Sequence, residues 1–238
     1  MSVYAFSDIH GNGILWDDIK DFLLPDDKVY FLGDAIDRGP DGFRIMKEIM
    51  ADPRFVYLKG NHELMMQNAL ETFKSTGRLY NEDMNLWDHN GCFPTFTAWQ
   101  EDGADFGWID KIKYLPLRIS YINNAGVLFE MSHAGYDPGN ISDDEEQFVW
   151  DRDHIFKIPD VNQIDPYTKI LHGHSPAPYF HQIIGQKIKD SNFNNELTEN
   201  ILVYSTYGTK IDIDSWTAKT KAISLLNLDT YEVRVFKE

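Results

Sequence analysis

The sequence predicts an α/β protein built from two packed sheets with helices on the outside. Its first half alternates strand-like runs with helical spacing, and its second half contains closely spaced strand-like runs. Polar side chains able to bind metal ions follow several of these apolar runs. A chain of 238 residues can bury a sizeable core. We therefore expect a single domain over residues 1–238.

The first half of the chain has the order strand, helix, strand, helix, strand, helix. Its apolar runs predict strands at Val3–Ser7, Val29–Leu32 and Phe55–Leu58. Apolar residues three or four positions apart predict helices over Leu15–Leu24, Gly42–Met50 and Leu64–Phe73. Strands that alternate with helices in this way favour a parallel sheet covered by helices.

The second half has a different pattern. Residues 77–125 are rich in aromatic side chains, which predict helical cover over the sheet. Later strand-like runs lie at Val127–Met131, Lys169–Leu171, Ile201–Tyr204, Ala222–Leu228 and Glu232–Phe236. Asp229-Thr230, between the last two runs, predicts a hairpin turn. These runs predict a second, largely antiparallel sheet packed on the first.

Charge and composition exclude several functional classes. The formal net charge of −16 creates a field that repels polyanions, so we expect no stable binding to nucleic acid or to an anionic membrane. No apolar run approaches the ~18 residues of a membrane helix. Val3 already begins the first predicted strand, which leaves no room for a signal peptide. Cys92 is the only cysteine, so no disulfide can form within the chain, and we interpret it as a buried side chain. With neither a signal peptide nor a membrane helix predicted, we expect a cytoplasmic protein.

Six candidate metal ligands stand where predicted strands end. They are Asp8, His10, Asp34, Asn61, His133 and His174. Asp8 and His10 are two positions apart, so in an extended chain both side chains point to the same side. The two oxygens of Asp34 can bridge two ions. Ligands collect at the carboxyl ends of strands in open α/β sheets, and a two-metal site on such a scaffold is typical of phosphoester hydrolysis.

Four further residues are candidates for catalysis or for substrate binding. His62 follows Asn61 directly and can act as a general acid toward a leaving alkoxide. Asp37 can accept a hydrogen bond from the His62 ring and stabilise its charged form. Arg38 carries a fork of donors suited to phosphate oxygens, and Arg152 is a second candidate for that role. For Arg152, a surface ion pair with a neighbouring acid is the alternative interpretation.

The motifs together resemble the calcineurin-like metallophosphoesterases. They are Asp8-x-His10-Gly11, Gly33-Asp34-x-x-Asp37-Arg38-Gly39, Gly60-Asn61-His62-Glu63, His133 and His174. The Asp-Arg-Gly and Asn-His-Glu endings are similar to the phosphoprotein phosphatase branch, which holds Ser/Thr protein phosphatases and symmetrical diadenosine tetraphosphate hydrolases. Softer similarities to small bacterial and phage members extend over most of the chain. They include Trp87-x-x-Asn90-Gly91, Leu115-Pro116-Leu117, Trp150-x-Arg152, Gly173-His174-Ser175-Pro176 and Ile211-Asp212-Ile213-Asp214.

This resemblance implies a four-layer α/β/β/α sandwich of two mixed sheets flanked by helices, and a division of the ligands between two metal ions. One ion would be held by Asp8, His10 and Asp34, and the other by Asp34, Asn61, His133 and His174. The resemblance also implies that His62 with Asp37 is the acid pair and that Arg38 and Arg152 clamp the phosphate, with Asn61 also at the substrate. His172 is not expected to be a ligand. Two features depart from the family pattern, namely Cys92 in place of a second glycine and a long segment over Ile183–Lys210.

The expected function is a metal-dependent phosphatase that hydrolyses phosphomonoesters, above all phosphoserine or phosphothreonine in proteins. A hydroxide that bridges the two ions would attack phosphorus. Two divalent ions are expected, with manganese favoured and iron, zinc, cobalt or nickel as alternatives. A symmetrical dinucleoside tetraphosphate hydrolase or another small-molecule phosphoesterase is the principal alternative. A catalytically silent binding module and a phosphodiesterase are weaker ones, and the oligomeric state is not predicted.

Overall fold

The computed structural model describes residues 1–136, 141, 144–152, 167–179, 204–206 and 210–238. Its strands are β1 (Val3–Phe6), β2 (Lys28–Phe31), β3 (Phe55–Tyr57), β4 (Arg118–Ile122), β5 (Leu128–Ser132), β6 (Thr168–His172), β7 (Tyr204–Thr206), β8 (Lys210–Asp212), β9 (Ala222–Asn227) and β10 (Val233–Lys237). Its helices are α1 (Gly13–Phe22), α2 (Gly42–Ala51), α3 (Asn61–Thr76), α4 (Glu82–His89), α5 (Phe93–Glu101), α6 (Gly107–Lys113), α7 (Glu145–Val149) and α8 (Thr217–Thr220).

The first sheet has the strand order β10-β9-β1-β2-β3. β1, β2 and β3 are parallel, and α1, α2 and α3 follow them, which confirms the predicted alternation of strands and helices. The prediction was wrong about β9 and β10, which join this sheet next to β1 rather than the second sheet. All but the last residue of β9 are buried, because a central strand is covered on both faces.

The second sheet has the strand order β4-β5-β6-β8-β7 and is mixed. β4 with β5 and β7 with β8 are antiparallel, whereas β5 with β6 and β6 with β8 are parallel. The expectation of a largely antiparallel sheet was therefore wrong. β4 lies within the stretch 77–125 that was predicted to be helical, and it was missed because only its alternate residues are partly buried.

The core lies in two layers. Between the sheets, Ala5 and Leu32 from the first sheet's side pack in one apolar cluster with Phe129, Met131 and Leu171 from the second. The other face of the first sheet is covered by α1, α2, α3 and the aromatic segment, whose indoles Trp87, Trp99 and Trp108 are buried as predicted. Tyr136 bonds to Glu130 of β5 and packs on Phe148 of α7, which covers part of the second sheet's outer face. The sheets are thus flanked by helices, as the resemblance implied.

The single cysteine is buried, as the sequence predicted. Burial of Cys92 beside Asp37 and Asp88 raises the pKa of its thiol to about 12, so the thiol stays protonated at neutral pH.

Among the residues described, no helix is both long and apolar enough to cross a membrane. Most of Ile183–Lys210, and the predicted strand Ile201–Tyr204 before its last residue, lie outside the described residues.

Candidate functional site

Sharp turns after the strands bring the candidate residues together. Asp8 follows β1, Asp34 follows β2 and Asn61 follows β3, while His133 and His174 follow β5 and β6. Every candidate ligand thus lies at the carboxyl ends of the strands, as predicted. Because these ends come from both sheets, the site lies across the seam between them.

The backbone at these turns is unusual. Six candidate site residues have positive φ angles between 45° and 69°, namely Asp8, His10, Asp34, Asp37, Arg38 and His174. This left-handed conformation costs roughly 1–2 kcal/mol for a residue with a side chain. Asp8 and His10 therefore do not share a face of an extended chain, as the spacing argument assumed, and the tight turn brings them together instead. Such strain clusters at functional sites, where the surrounding structure enforces it.

Asp34 is at the centre of the cluster. Its Oδ2 lies 3.7 Å from Nε2 of His10 and 3.8 Å from Nε2 of His62, and its Oδ1 lies 3.4 Å from Nε2 of His133. Nε2 of His10 also lies 3.9 Å from Oδ1 of Asp8. Two groups of side chains have ligand atoms close enough to hold an ion, and both include Asp34. One joins it to His10 and His62, and the other joins it to Asp8 and His133, so the division differs from the implied one while Asp34 is shared as expected.

A second set of atoms converges on Asn61. Its Oδ1 lies 2.9 Å from Nε2 of His133 and 2.9 Å from Nδ1 of His174. The backbone N–H of His174 donates to Oδ2 of Asp8 at 3.1 Å. Side chains that leave different strands therefore point their lone-pair atoms into one small volume.

The donor set fits divalent metal ions. Nδ1 of His133 lies 2.7 Å from the carbonyl of Leu32, and Nδ1 of His10 lies 3.1 Å from the carbonyl of Ile36. A carbonyl only accepts, so each Nδ1 must donate, which leaves Nε2 available as a ligand. Nε2 of His174 is buried and has no hydrogen-bond partner among the residues that the structure describes. A buried polar atom left unpaired beside carboxylates is what an ion would satisfy.

The pKa shifts of Asp34, His10 and His174 also favour metal binding. Burial opposes the charged form of Asp34, but His133 and His62 outweigh burial and hold the pKa of Asp34 well below its usual value. Burial, helped by neighbouring cations, lowers the pKa of His10 and His174 well below the usual range. Burial also opposes the charged form of His133, but Asp34 outweighs it and raises the pKa of His133 to about 10. Asp34 is therefore ionised and His10 and His174 are neutral, as metal ligation needs, whereas His133 would release a proton when an ion binds.

His62 and Asp37 form a buried pair beside this cluster. Nδ1 of His62 lies 2.6 Å from Oδ2 of Asp37, and Nε2 of His62 faces Asp34. Burial lowers the pKa of His62, but Asp34 and Asp37 outweigh burial and raise it above its usual value. The indole N–H of Trp87 donates to the same Oδ2 at 2.8 Å. Trp87 is not among the predicted site residues, and no spacing signal in the sequence reveals this bond.

The two arginines border the cluster on different sides. Nη1 of Arg38 lies 2.7 Å from Nε2 of His10, and its Nη2 lies 3.1 Å from Nε2 of His62. Arg152 donates from Nε to the hydroxyl of buried Ser175 at 3.1 Å and from Nη2 to the carbonyl of His174 at 3.5 Å. The structure thus brings every predicted site residue to the cluster or to its edge.

Glu63 ends the Gly60-Asn61-His62-Glu63 motif and is not among the predicted site residues. Its buried carboxylate accepts backbone N–H bonds from Asp34, Ala35 and Gly60 at 2.8–2.9 Å, and a bond from the hydroxyl of Tyr57. It therefore ties the turn after β2 to the turn after β3 and fixes the backbone of Asp34. The signal was available, because a glutamate three residues after Gly60 is typical of a helix N-terminus.

Comparisons with known proteins agree with this geometry. Serine/threonine-protein phosphatase 2 of Escherichia coli is 29% identical over 187 residues, which covers 72% of this chain and 78% of the relative. The crystal structure of a putative diadenosine tetraphosphatase superposes with a TM-score of 0.62 at 14% identity, covering 98% of this chain and 92% of that one. A protein-tyrosine phosphatase from a psychrophilic Shewanella species superposes with a TM-score of 0.54 at 15% identity, covering 98% and 77%. At these identities the structural matches show the fold alone.

A family model supplies the remaining comparison. The model described as calcineurin-like phosphoesterase matches residues 1–206, which include every candidate ligand. The resemblance seen in the motifs is thereby confirmed. The chain belongs to the calcineurin-like phosphoesterase family and is a phosphoesterase hydrolase.

Proposed function

We propose that this phosphoesterase hydrolyses phosphomonoesters, above all phosphoserine and phosphothreonine in proteins. The observation that supports this most is the buried His62–Asp37 pair. Nε2 of His62 faces the same Asp34 oxygen as Nε2 of His10 does. An alkoxide leaving group is a strong base and needs a proton, so a charged imidazole beside the cluster suits serine and threonine esters. The name of the E. coli relative supports the same substrate class.

The proposed ligands are Asp8, His10 and Asp34 for one ion, and Asp34, Asn61, His133 and His174 for the other. When bound, the divalent ions lower the pKa of a bound water and polarise the phosphoryl oxygens. The metals themselves remain a prediction, with manganese favoured. The described side chains meet the requirements of such a site in donor type, burial and convergence.

The remaining site residues act directly on the substrate. Arg38 and Arg152 donate to the equatorial phosphoryl oxygens, and their guanidinium groups suffice for one terminal phosphoryl group. Nε2 of His62 carries the proton that goes to the leaving oxygen as the ester bond breaks. Asp37 keeps His62 charged until that transfer, because its carboxylate accepts a hydrogen bond from Nδ1–H at 2.6 Å.

A symmetrical dinucleoside tetraphosphate hydrolase is the second candidate. The diadenosine tetraphosphatase structure covers nearly all of this chain, but at 14% identity it supports the fold rather than the substrate. A tetraphosphate chain carries more negative charge than a monoester and would need further cations. Two arginines beside a protein of net charge −16 favour the monoester.

A competition assay separates the two candidates. The manganese-loaded protein is given a phosphoserine peptide and diadenosine tetraphosphate together, and the kcat/KM ratio is read from the two products. We expect the peptide to have the higher kcat/KM. A higher value for the dinucleotide would show that the second candidate is correct and would leave the proposed metal site unchanged.

A further inference from the structure

A groove adjoins the candidate site. Its volume is about 270 Å³, and His10 and Arg38 line both the groove and the site. One wall comes from the turn after β1 and the start of α1, including Ile14. Further lining comes from Ala218 of α8, together with Lys221. A phosphorylated residue held by Arg38 therefore has its neighbours in the chain within reach of this groove.

The groove floor is made of closely packed glycine backbone. A Cβ atom on Gly11 would collide with the carbonyl of Gly39, and a Cβ atom on Gly39 would collide with the backbone of Gly11. The N–H of Gly39 donates to the carbonyl of His10 at 3.1 Å, and the N–H of Asp41 donates to that of Gly11 at 3.1 Å. The floor is thus rigid and lacks side chains, which lets another backbone approach closely.

Size and lining indicate what the groove can hold. Small-molecule sites usually enclose about 300–1,000 Å³, so this groove falls just below that range and suits a small side chain with its backbone. Its described lining residues include no Phe, Tyr or Trp, and His10 is only 4% exposed, so a nucleobase would find little surface to stack on. Ile14 is 57% exposed, and it offers an apolar contact at the wall.

The charges at the groove are balanced. Nζ of Lys221 lies 3.9 Å from the carboxylate of Glu238, and Asp41 bonds to Arg44 at 2.9 Å. An exposed ion pair of this kind contributes little to stability, and each partner offsets the charge of the other. The groove therefore selects for side-chain size rather than for charge.

We propose that this groove binds the residue next to the phosphorylated residue of a peptide and favours a small side chain there. This inference rests on the proposed function. It adds a specificity determinant, since Ile14 and Ala218, from different elements, both line the groove and limit its space. A bulky neighbour on that side of the phosphorylated residue would not fit beside them.

The test narrows the groove by mutation. It then compares a phosphopeptide, which would extend into the groove, with a small aryl phosphate, which would not. Ile14→Trp and Ala218→Trp add neutral bulk at two places in the groove lining, and Leu24→Trp is the matched control, because Leu24 is 64% exposed and lies outside the groove. For a phosphoserine peptide flanked by alanine we expect each groove variant to raise KM about tenfold, equivalent to ~1.4 kcal/mol. The loss for a small aryl phosphate should be several times smaller, and Leu24→Trp should match the wild type.

Binding without turnover gives a second readout. A peptide with a non-hydrolysable phosphonate should bind both groove variants about tenfold more weakly, the scale of a well-packed contact. In the wild type, tryptophan in place of alanine at one neighbour of the phosphorylated residue should raise KM.

The outcomes separate this inference from the proposed function. If the wild type cleaves the peptide and both groove variants cleave it equally well, the groove inference is wrong and the function stands. If the groove variants lose aryl phosphate and peptide turnover equally, the bulk has damaged the site and the inference is also wrong. If the wild type rejects phosphopeptides but cleaves the dinucleotide, the proposed function itself fails.

Discussion

At the scale of single residues, the proposed acid is controlled by two neighbours that act in opposite directions. The carboxylate of Asp37 favours the charged form of His62, and the indole of Trp87 competes for the same carboxylate oxygen. Oδ1 of Asp37 is buried and has no hydrogen-bond partner among the described residues, so Oδ2 carries both contacts. Beside the effects of burial and Asp34, the proton affinity of His62 therefore depends on a balance between two hydrogen bonds to one atom.

His62→Asn should keep the bound metal and lower kcat by roughly 10²–10⁴, the scale of general acid catalysis. The loss should be smaller for an aryl phosphate than for a phosphoserine peptide, because a phenolate leaves without full protonation. Metal content and kcat for both substrates are the measurements. Equal losses on the two substrates would contradict the acid role and would indicate that His62 only positions the phosphate.

Asp37→Asn and Trp87→Phe should shift the pH profile of kcat in opposite directions. His62 must be protonated to act, so activity falls as pH rises through its raised pKa. Without the Asp37 charge the pKa of His62 falls, and the descending limb should move to lower pH by about one unit. Without the Trp87 donor, Asp37 holds the His62 proton more strongly, and the limb should move to higher pH.

The control for this pair is Trp99→Phe. Trp99 is also buried and donates to a backbone carbonyl, that of Asp105, at 3.0 Å, but it makes no contact with Asp37. It should lower stability as Trp87→Phe does and leave the pH profile in place. A shift in the same direction for Asp37→Asn and Trp87→Phe would rule out the proposed balance.

At the scale of elements, a buried lysine connects β3 to α7. The Lys59 side chain is 2% exposed, and its Nζ contacts the carboxylate of Glu145 at 2.5 Å, Oε1 of Gln67 at 3.1 Å and the carbonyl of Lys113 at 3.3 Å. Glu145 begins α7, the helix that precedes Arg152. The ion pair therefore holds in place the segment that leads to the second proposed phosphate ligand.

Glu145→Gln should lower the free energy of unfolding by about 1–3 kcal/mol, because Lys59 then stays buried without its anion. Glu146→Gln is a matched control, since it removes the same charge from the same helix turn but lies exposed. Denaturant unfolding of both variants is the measurement. Equal stability of the two would show that the Lys59–Glu145 pair contributes nothing beyond helix-end charge.

Local patterns predicted the elements, and the places of candidate ligands, that depend on short stretches of chain. The places of Asp34 and Asn61 were predictable because each follows an apolar run within three residues. The placement of β9 beside β1 was not, since pairing across more than 200 residues leaves no local trace, although the mostly apolar run of β9, interrupted by Ser224, already favoured burial. The left-handed turns at Asp8 and His10, and the bond from Trp87, likewise depend on packing from distant elements.

At the scale of the whole molecule, the proposed metal site joins the two sheets. Asp8, Asp34 and Asn61 follow strands of the first sheet, whereas His133 and His174 follow strands of the second. Ions bound at this seam would resist separation of the sheets. Folding stability and metal binding are therefore expected to be coupled.

Manganese at a hundred times its Kd should stabilise the protein by about 2.7 kcal/mol. For a chain of this size, that corresponds to a rise in Tm of roughly 5–10 °C. Asp34→Asn should lose most of this rise along with at least one bound ion. The exposed Asp26→Asn is the control, and sodium chloride at equal ionic strength separates binding from screening of the −16 charge. An equal rise in Tm for Asp34→Asn would contradict the bridging role.

The pairing of β1 with β9 also has a consequence for the chain during synthesis. β1 and the first three proposed ligands leave the ribosome early, but one edge of β1 stays without its strand partner until residues 222–227 follow. An exposed strand edge is prone to pair with other chains. The nascent protein therefore carries this vulnerable edge through most of translation, and arrest before the final hairpin would release an aggregation-prone fragment.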